Sequence, residues 1–161
     1  MDKAIIIGCP GSGKSVFGRK LNCITGLPLY HLDMMYWNED RTTVAKEVFL
    51  DRLRAVMSSS KWIIDGNYGG SMEMRFKECD TVFFLDYPTE VCIQGVESRK
   101  GKPRSDMPWI ENENTDEDFI DFINNGNRNF NICCLTLHSA KWLMNHNFTV
   151  RKRITLALST G

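Results

Sequence analysis

The chain of 161 residues lacks the features that would direct it to a membrane or to a polyanion. No apolar stretch approaches the length of a transmembrane helix, and Met1-Asp2-Lys3 leads into an apolar segment without a signal-peptide pattern. The 20 basic and 20 acidic side chains cancel, so the net charge does not favour nucleic acid as a partner. We therefore expect a cytoplasmic protein that binds neither a membrane nor nucleic acid directly.

Metal-binding cysteine patterns are also missing. The six cysteines form no C-x-x-C pair, and no histidine lies at metal-ligand spacing from them. They are Cys9, Cys23, Cys79, Cys92, Cys133 and Cys134. Such cysteines are more typical of small buried apolar side chains or spectators than of a zinc site or a disulfide set. Cys9 is the one that we expect to be accessible.

Strand-like and helix-like segments alternate without an internal repeat, and the length suits one layered core, so we expect a single domain over residues 1–161. Helices are predicted from Lys14 to about Cys23 and from Thr42 or Thr43 to about Ser58. The predicted strands are Ala4 to Gly8, Leu29 to Leu32, Trp62 to Ile64 and Thr81 to Leu85. This alternation predicts a parallel sheet covered by helices on both faces.

The first predicted strand runs directly into a glycine-rich loop. Gly8-Cys9-Pro10-Gly11-Ser12-Gly13-Lys14-Ser15 matches the complete G-x-x-x-x-G-K-[ST] pattern. Glycines let several backbone N–H groups converge on a phosphate at the positive end of the next helix. The pattern predicts ATP and Mg²⁺ as cofactors, with Lys14 on the phosphates and Ser15 on the metal. The predicted cofactor-binding residues are Gly8, Pro10, Gly11, Ser12, Gly13, Lys14 and Ser15.

Five segments together resemble a known group: GCPGSGKS, LYHLDMMYW, WIIDGNY, DTVFFLDYP and SRKGKPRSDMPW. Over about residues 1–128 they look like adenylate-kinase-like P-loop proteins and, among these, the bacterial DNA topology modulation protein family. The resemblance implies a three-layer α/β/α P-loop fold with a parallel five-stranded sheet of order 2-3-1-4-5. It also implies an acceptor-binding segment at about 31–68 and a short lid at about 99–114. The end of the chain departs from the family pattern: either Phe148 to Val150 or Ile154 to Leu158 supplies the fifth strand, or the tail is divergent and that strand is imperfect.

The basic stretch from Arg99 to Arg104 is the candidate lid. The resemblance implies that Arg99 and Arg104 clamp the ATP phosphates, and a solvated basic loop is the alternative. Asp33 follows the second predicted strand and could accept a hydrogen bond from an acceptor hydroxyl, hold Mg²⁺ through water, or act as a base. Its alternative role is a helix N-cap. The predicted catalytic residues are therefore Lys14, Arg99, Arg104 and Asp33.

Further candidates for the acceptor pocket are His31, Trp37, Asp65, Asn67, Arg75 and Arg128. Asp65 ends an apolar strand, where it could hold Mg²⁺ together with Ser15 or could cap the following turn. Trp37 could stack on a base or belong to the core, and His31 could bond to polar neighbours. The resemblance implies that Arg75 binds an anionic group of the acceptor, although a surface position suits Arg75 as well. It also implies that Arg128 is a further phosphate-binding arginine.

These features favour an ATP-dependent phosphotransferase that acts on a small acceptor, either a nucleoside monophosphate or a hydroxylated metabolite. The alternative is an ATP-dependent regulatory protein that affects DNA topology through a partner and has little or no kinase turnover. Fold analogy alone does not separate the two.

Overall fold

The computed structural model describes residues 1–99, 102 and 105–108. Its four strands form one parallel sheet with the order β2-β3-β1-β4. They are β1 (Lys3–Gly8), β2 (Leu29–His31), β3 (Trp62–Asp65) and β4 (Thr81–Leu85). The predicted parallel α/β fold is confirmed for these strands, while both segments considered for a fifth strand lie outside the described residues.

Five helices connect or follow these strands. They are α1 (Lys14–Thr25), α2 (Leu32–Tyr36), α3 (Lys46–Met57), α4 (Met72–Glu78) and α5 (Thr89–Glu97), with a single 3₁₀ turn at Gly69–Ser71 before α4. Within the described part of the chain, no helix combines the length and the apolar character that crossing a membrane requires.

The start of α3 differs from the prediction. The helix begins at Lys46 after Ala45, and neither Thr42 nor Thr43 caps it. Thr42 instead donates its N–H and its hydroxyl to Asp40 Oδ1, at 2.9 and 2.6 Å, and Thr43 pairs with a residue of the preceding loop in an isolated bridge. Because local hydrogen bonds occupy Thr42 and the bridge holds Thr43, the loop continues to Ala45 before the chain turns helical.

The sheet has a helical layer on each face. Along β1, Ile5 and Ile7 point to one face, where they pack with buried residues of α3 and α4. Ala4 and Ile6 point to the other face, where the partly buried Phe17 of α1 joins their cluster. This alternation follows the two-residue period of a strand, and it produces the expected α/β/α layers.

Helix α5 lies directly against the glycine-rich loop. A Cβ atom added to Gly11 would lie 1.9 Å from the carbonyl oxygen of Cys92, and one added to Gly95 would lie 2.2 Å from the carbonyl oxygen of Gly11. Gly11 also has a φ of 83°, in the left-handed region that glycine adopts without strain. Both positions therefore require glycine, because the backbone of the loop lies directly against the backbone of α5.

Candidate active site

A cleft of about 1220 Å³ opens at the carboxyl edge of the sheet. It is lined by the glycine-rich loop, the start of α1, α2, the loop after β3, part of α3 and residues 105–107. Ligands bind at this edge in open parallel sheets because loops from neighbouring strands meet there. Lys14, Asp33, Asp65 and Asn67 all line this cleft, so the fold brings four predicted site residues to one place.

The side chain of Lys14 folds back over the backbone of the glycine-rich loop. Lys14 Nζ donates hydrogen bonds to the carbonyl oxygens of Gly8 and Cys9, each at 3.1 Å. Burial lowers the pKa of Lys14, and the negative charges of Asp65 and Asp33 partly oppose that shift. A phosphate at the loop would favour the charged amine and replace the two carbonyl contacts.

The N-terminus of α1 is open to an anion. Its N-cap residue is Gly13, which has φ 80° and makes no side-chain cap hydrogen bond. The first-turn N–H groups of a helix have no partner within the helix, and they carry the positive end of its dipole. The open N-terminus and the amine of Lys14 are therefore suited to an anion.

Asn67 fastens the loop after β3 to the beginning of the glycine-rich loop. Its Oδ1 accepts a hydrogen bond from the N–H of Gly8 at 3.1 Å, and its Nδ2 donates to the carbonyl oxygen of Gly8 at 2.8 Å. One amide side chain therefore satisfies both backbone groups of Gly8. Asn67 lines the cleft, but its two polar atoms are bonded to the protein backbone.

Asp65 and His31 form a buried pair at the ends of β3 and β2. His31 Nδ1 lies 2.8 Å from Asp65 Oδ2, and only 5% of the surface of Asp65 is exposed. The other carboxylate oxygen, Oδ1, is buried without a hydrogen-bond partner. His31 is thus placed to orient Asp65, and the unpartnered oxygen is suited to a ligand of the cleft.

Asp33 lies in the first turn of α2, not at its N-cap, which is His31. The Tyr68 hydroxyl donates a 2.6 Å hydrogen bond to Asp33 Oδ1. Burial and the neighbouring charge of Asp33 raise the pKa of Tyr68, so this hydroxyl stays protonated and remains a donor. The Tyr68 ring packs against those of Tyr36 and Phe49, with centroid distances of 5.1 and 5.2 Å.

Tyr68 is also in an unusual backbone conformation. Its φ of 31° is positive, which is uncommon for a residue with a side chain. Such conformations persist where the surroundings fix them, and they occur frequently at functional sites. Here Ser71 donates to the Tyr68 carbonyl oxygen through both its N–H and its hydroxyl.

Arg75 has a position that neither sequence-based interpretation describes. It is 0% exposed and does not line the cleft. Its guanidinium donates to the carbonyl oxygens of Gly66, Asn67, Tyr68 and Ser71. Burial lowers the pKa of Arg75 to about 10. Arg75 therefore holds the loop after β3 and does not line the cleft.

The cleft also has aromatic and cationic side chains. Trp37 lines the cleft, and its ring centroid lies 5.2 Å from that of Tyr36. Arg41 and Lys46 line the cleft as well, although no sequence motif predicts this. Arg41 lies in the loop before α3 and Lys46 begins that helix, and neither segment has a recognisable pattern.

Residues of the expected lid reach the glycine-rich loop. Ser15 Oγ donates a 2.6 Å hydrogen bond to Asp106 Oδ2, and Asp106 is 4% exposed. Arg19 Nη1 lies 3.3 Å from the hydroxyl of Ser105. Arg99 also lines the cleft. The predicted Arg104 and Arg128 lie outside the described residues.

Among residues 1–99, 102 and 105–108, no three His, Cys, Asp or Glu side chains are grouped to hold a metal ion. The two predicted metal ligands, Ser15 and Asp65, both line the cleft.

Comparison with known proteins finds kinases. A shikimate kinase of Rhodococcus jostii (strain RHA1) is 26% identical over 116 residues, which cover 63% of this chain and 68% of that protein. The crystal structure of shikimate kinase from Aquifex aeolicus vf5 is 14% identical, with a TM-score of 0.48, and the match covers 78% of this chain and 80% of that one. Deoxyadenosine kinase from M. mycoides, with the products dCMP and dCDP bound, is 15% identical with a TM-score of 0.44, covering 90% and 98% of the two chains. No family model matches the chain, and none of these three proteins is named a DNA topology modulation protein.

Proposed function

We propose that the protein transfers the γ-phosphoryl group of ATP to a hydroxyl group of a small acceptor. The observation that carries this proposal is that Lys14 of the glycine-rich loop and the carboxylate of Asp33 line the same cleft. A phosphotransferase needs a phosphate cradle and an acceptor pocket within reach of each other, shielded from water. The likeness to a protein named shikimate kinase supports the same reaction class.

The donor side of the cleft would bind ATP through the loop backbone and Lys14. Residues 11–15 would surround the phosphates with N–H groups, and Lys14 Nζ would exchange the carbonyl oxygens of Gly8 and Cys9 for phosphate oxygens. Arg99, with Arg104, would add positive charge where the transferred phosphoryl group develops negative charge. Catalysis on this side rests on position and charge.

Mg²⁺ fits the oxygen atoms present. Asp65 Oδ1 is buried without a hydrogen-bond partner, and Ser15 Oγ uses its proton toward Asp106, which leaves its lone pairs for a cation. Oxygen ligands of this kind suit Mg²⁺, which is usually bound by few protein groups together with phosphates and water. When bound, Mg²⁺ neutralises phosphate charge. Ser15 and Asp65 would hold it, and His31 would keep Asp65 oriented.

Asp33 would act on the acceptor hydroxyl. Its carboxylate would accept the hydroxyl proton while the acceptor oxygen bonds to the γ-phosphorus, and the bond between that phosphorus and the leaving ADP oxygen breaks. Tyr68 would keep Asp33 in position through its 2.6 Å hydrogen bond. A nucleoside monophosphate and a hydroxylated metabolite both suit the pocket, with Trp37 to stack on a base and Arg41 or Lys46 to bind an anionic group.

The test is ATP consumption with Mg²⁺ against a panel of nucleoside monophosphates, nucleosides and hydroxylated metabolites. Acceptor-dependent ADP formation that disappears in Lys14→Ala and persists in Lys20→Ala, an exposed lysine of the same helix, would support the proposal. Arg99→Ala with Arg104→Ala should cost several kcal/mol of transition-state stabilisation. If ATP binds and no acceptor stimulates turnover, the alternative is favoured, namely a regulatory protein that affects DNA topology with little or no turnover.

A further inference from the structure

One backbone carbonyl oxygen is shared by two side chains of the candidate site. The carbonyl oxygen of Gly8 accepts hydrogen bonds from Lys14 Nζ at 3.1 Å and from Asn67 Nδ2 at 2.8 Å. The N–H of Gly8 donates to Asn67 Oδ1 at 3.1 Å, so the amide also holds the other polar group of this glycine. Hydrogen bonds that share a group polarise one another. Because the lysine withdraws electron density from the oxygen, the Asn67 contact should strengthen when the lysine leaves.

The lysine contact is the one that a bound nucleotide would replace. Under the proposed function, Lys14 Nζ turns from the carbonyl oxygen of Gly8 to the phosphates, whereas the Asn67 amide stays on Gly8. Gly8 itself is fixed in the sheet, since it ends β1 and stands opposite Leu85 of β4 in the parallel ladder. The response to the loss of the lysine therefore falls on Asn67 and on the loop that carries it.

The loop after β3 is bound together as one unit. The buried guanidinium of Arg75 donates to four carbonyl oxygens, those of Gly66, Asn67, Tyr68 and Ser71. The N–H of Gly66 donates to the carbonyl oxygen of Ile6 at 3.2 Å, which ties the start of the loop to β1. A change at the Asn67 side chain is therefore passed to the adjacent residue instead of being absorbed by a slack backbone.

That adjacent residue is Tyr68, which contacts the acceptor side of the site. Its hydroxyl donates a 2.6 Å hydrogen bond to Asp33 Oδ1, and its φ of 31° lies in a region that leaves a residue with a side chain little freedom. Asn67 and Tyr68 both line the cleft. Two consecutive residues thus connect Gly8 of the glycine-rich loop with the carboxylate of Asp33.

We propose that Asn67 is a positioning residue that couples the two sides of the cleft, so that ATP binding fixes Tyr68 and Asp33 for the acceptor. This inference rests on the proposed function for the identity of the two ligands. The coupling element has two arrangements, in which the Gly8 carbonyl oxygen is bonded to Lys14 and Asn67 or to Asn67 alone. Because coupling is reciprocal, a bound acceptor would strengthen ATP binding by the same factor.

The first experiment follows amide hydrogen exchange in peptides that cover residues 66–72, with and without Mg²⁺ and saturating AMPPNP, a non-hydrolysable ATP analogue. The N–H of Ser71 donates to the carbonyl oxygen of Tyr68 at 3.0 Å, so its exchange reports opening of this loop. We expect the nucleotide to slow exchange about twofold to tenfold, which is the effect of one hydrogen bond.

Asn67→Ala separates coupling from direct contact between nucleotide and loop. At AMPPNP concentrations that saturate this variant, its exchange over residues 66–72 should be the same with and without nucleotide. Slowing that persists in Asn67→Ala would overturn the proposal, because it would come from direct contact. Asn38→Ala removes an exposed amide of another loop and should respond to nucleotide like the unmodified protein.

Lys14→Ala tests the coupling without any nucleotide. Its Gly8 carbonyl oxygen is left to Asn67, as in the nucleotide-bound arrangement, so residues 66–72 should exchange about twofold to tenfold more slowly than in the unmodified protein. Lys20→Ala, an exposed position on the same helix, should leave the exchange unchanged. The slowing should disappear when Asn67→Ala is added. Unchanged or faster exchange in Lys14→Ala would contradict the coupling.

The acceptor identified by the substrate panel provides the direct measurement. The ratio of its Kd without AMPPNP to its Kd with AMPPNP should be about two to ten in the unmodified protein and close to one in Asn67→Ala. A purely structural role of Asn67 would weaken both complexes and leave this ratio unchanged, which would exclude coupling. Failure of AMPPNP to bind would instead contradict the proposed function, while the nucleotide-free comparison with Lys14→Ala still decides the coupling.

Discussion

The hydroxyl of Tyr68 donates a 2.6 Å hydrogen bond to the carboxylate of Asp33, and both residues line the cleft. We expect Tyr68→Phe to lower kcat/KM for the acceptor about tenfold or more and to leave the Kd for ATP unchanged. The reason is that a hydrogen bond to a charged group contributes about 1.5–3 kcal/mol, while the ring packing is retained. Steady-state kinetics with varied acceptor measures this. Tyr87→Phe, away from the cleft, is the control, and equal kcat/KM in the two variants would contradict the assignment.

Arg75→Met is expected to lower the free energy of unfolding by about 3 kcal/mol or more, because it leaves buried carbonyl oxygens of the loop without donors. Urea denaturation gives this number. Lys77→Met on the same helix removes an exposed ion pair with Glu73 and should change stability by about 0.5 kcal/mol or less. If both variants unfold at the same urea concentration, Arg75 does not brace the loop.

Asn67→Ala is expected to raise the Kd for ATP about tenfold, because Gly8 loses both side-chain hydrogen bonds and the glycine-rich loop is less firmly held. Isothermal titration with ATP measures the effect. Asn38→Ala removes an exposed amide that bonds to Thr42, and it should bind ATP like the unmodified protein. An unchanged Kd in Asn67→Ala would show that the loop keeps its shape without this support.

Asp106→Asn is expected to raise the Mg²⁺ concentration for half-maximal activity about tenfold, because Asp106 orients the Ser15 hydroxyl and partners of metal ligands commonly have effects of that size. A Mg²⁺ titration at saturating ATP tests this. Ser105→Ala, at the neighbouring exposed position, is the matched control. A lower Mg²⁺ requirement in Asp106→Asn would mean that the carboxylate competes with the cation.

The reactivity of Cys9 should depend on pH around neutrality. Because its pKa is lowered to about 7, the rate of alkylation by iodoacetamide should rise through that pH and level off above it. Peptide mass spectrometry at a series of pH values measures the rate at Cys9. Cys92 is the main cause of this lowered pKa, so the midpoint should move to higher pH in Cys92→Ala. A midpoint that does not move would exclude Cys92 as the cause.

The parts of the site that the sequence predicts are those with a fixed local pattern. The glycine-rich loop after β1 can be predicted from the spacing of Gly8, Gly13, Lys14 and Ser15. The edge of the sheet can be predicted from the apolar run that ends in Asp65. The core can be predicted in the same way, because successive side chains of β1 point to opposite faces of the sheet and so pack against the two helical layers.

Other roles depend on how distant segments meet. Arg75 looks like a surface or ligand-binding arginine in the sequence, because four loop carbonyl oxygens surround its side chain only after the chain folds back on α4. Asp106 and Ser15 are 91 positions apart, and no local pattern connects them. Thr42 is a residue type that often caps helices, but its hydroxyl donates a hydrogen bond to the nearby carboxylate of Asp40 instead.

Arg75 contacts the loop after β3 through carbonyl oxygens, which every amino acid provides. The loop can therefore keep its shape when a side chain that faces the cleft is replaced. Substitutions at Tyr68 should change which molecule binds in the cleft while Arg75 still holds the loop, because the arginine contacts only the backbone of Tyr68. Mutational libraries at Tyr68 should yield folded variants more often than libraries at Arg75.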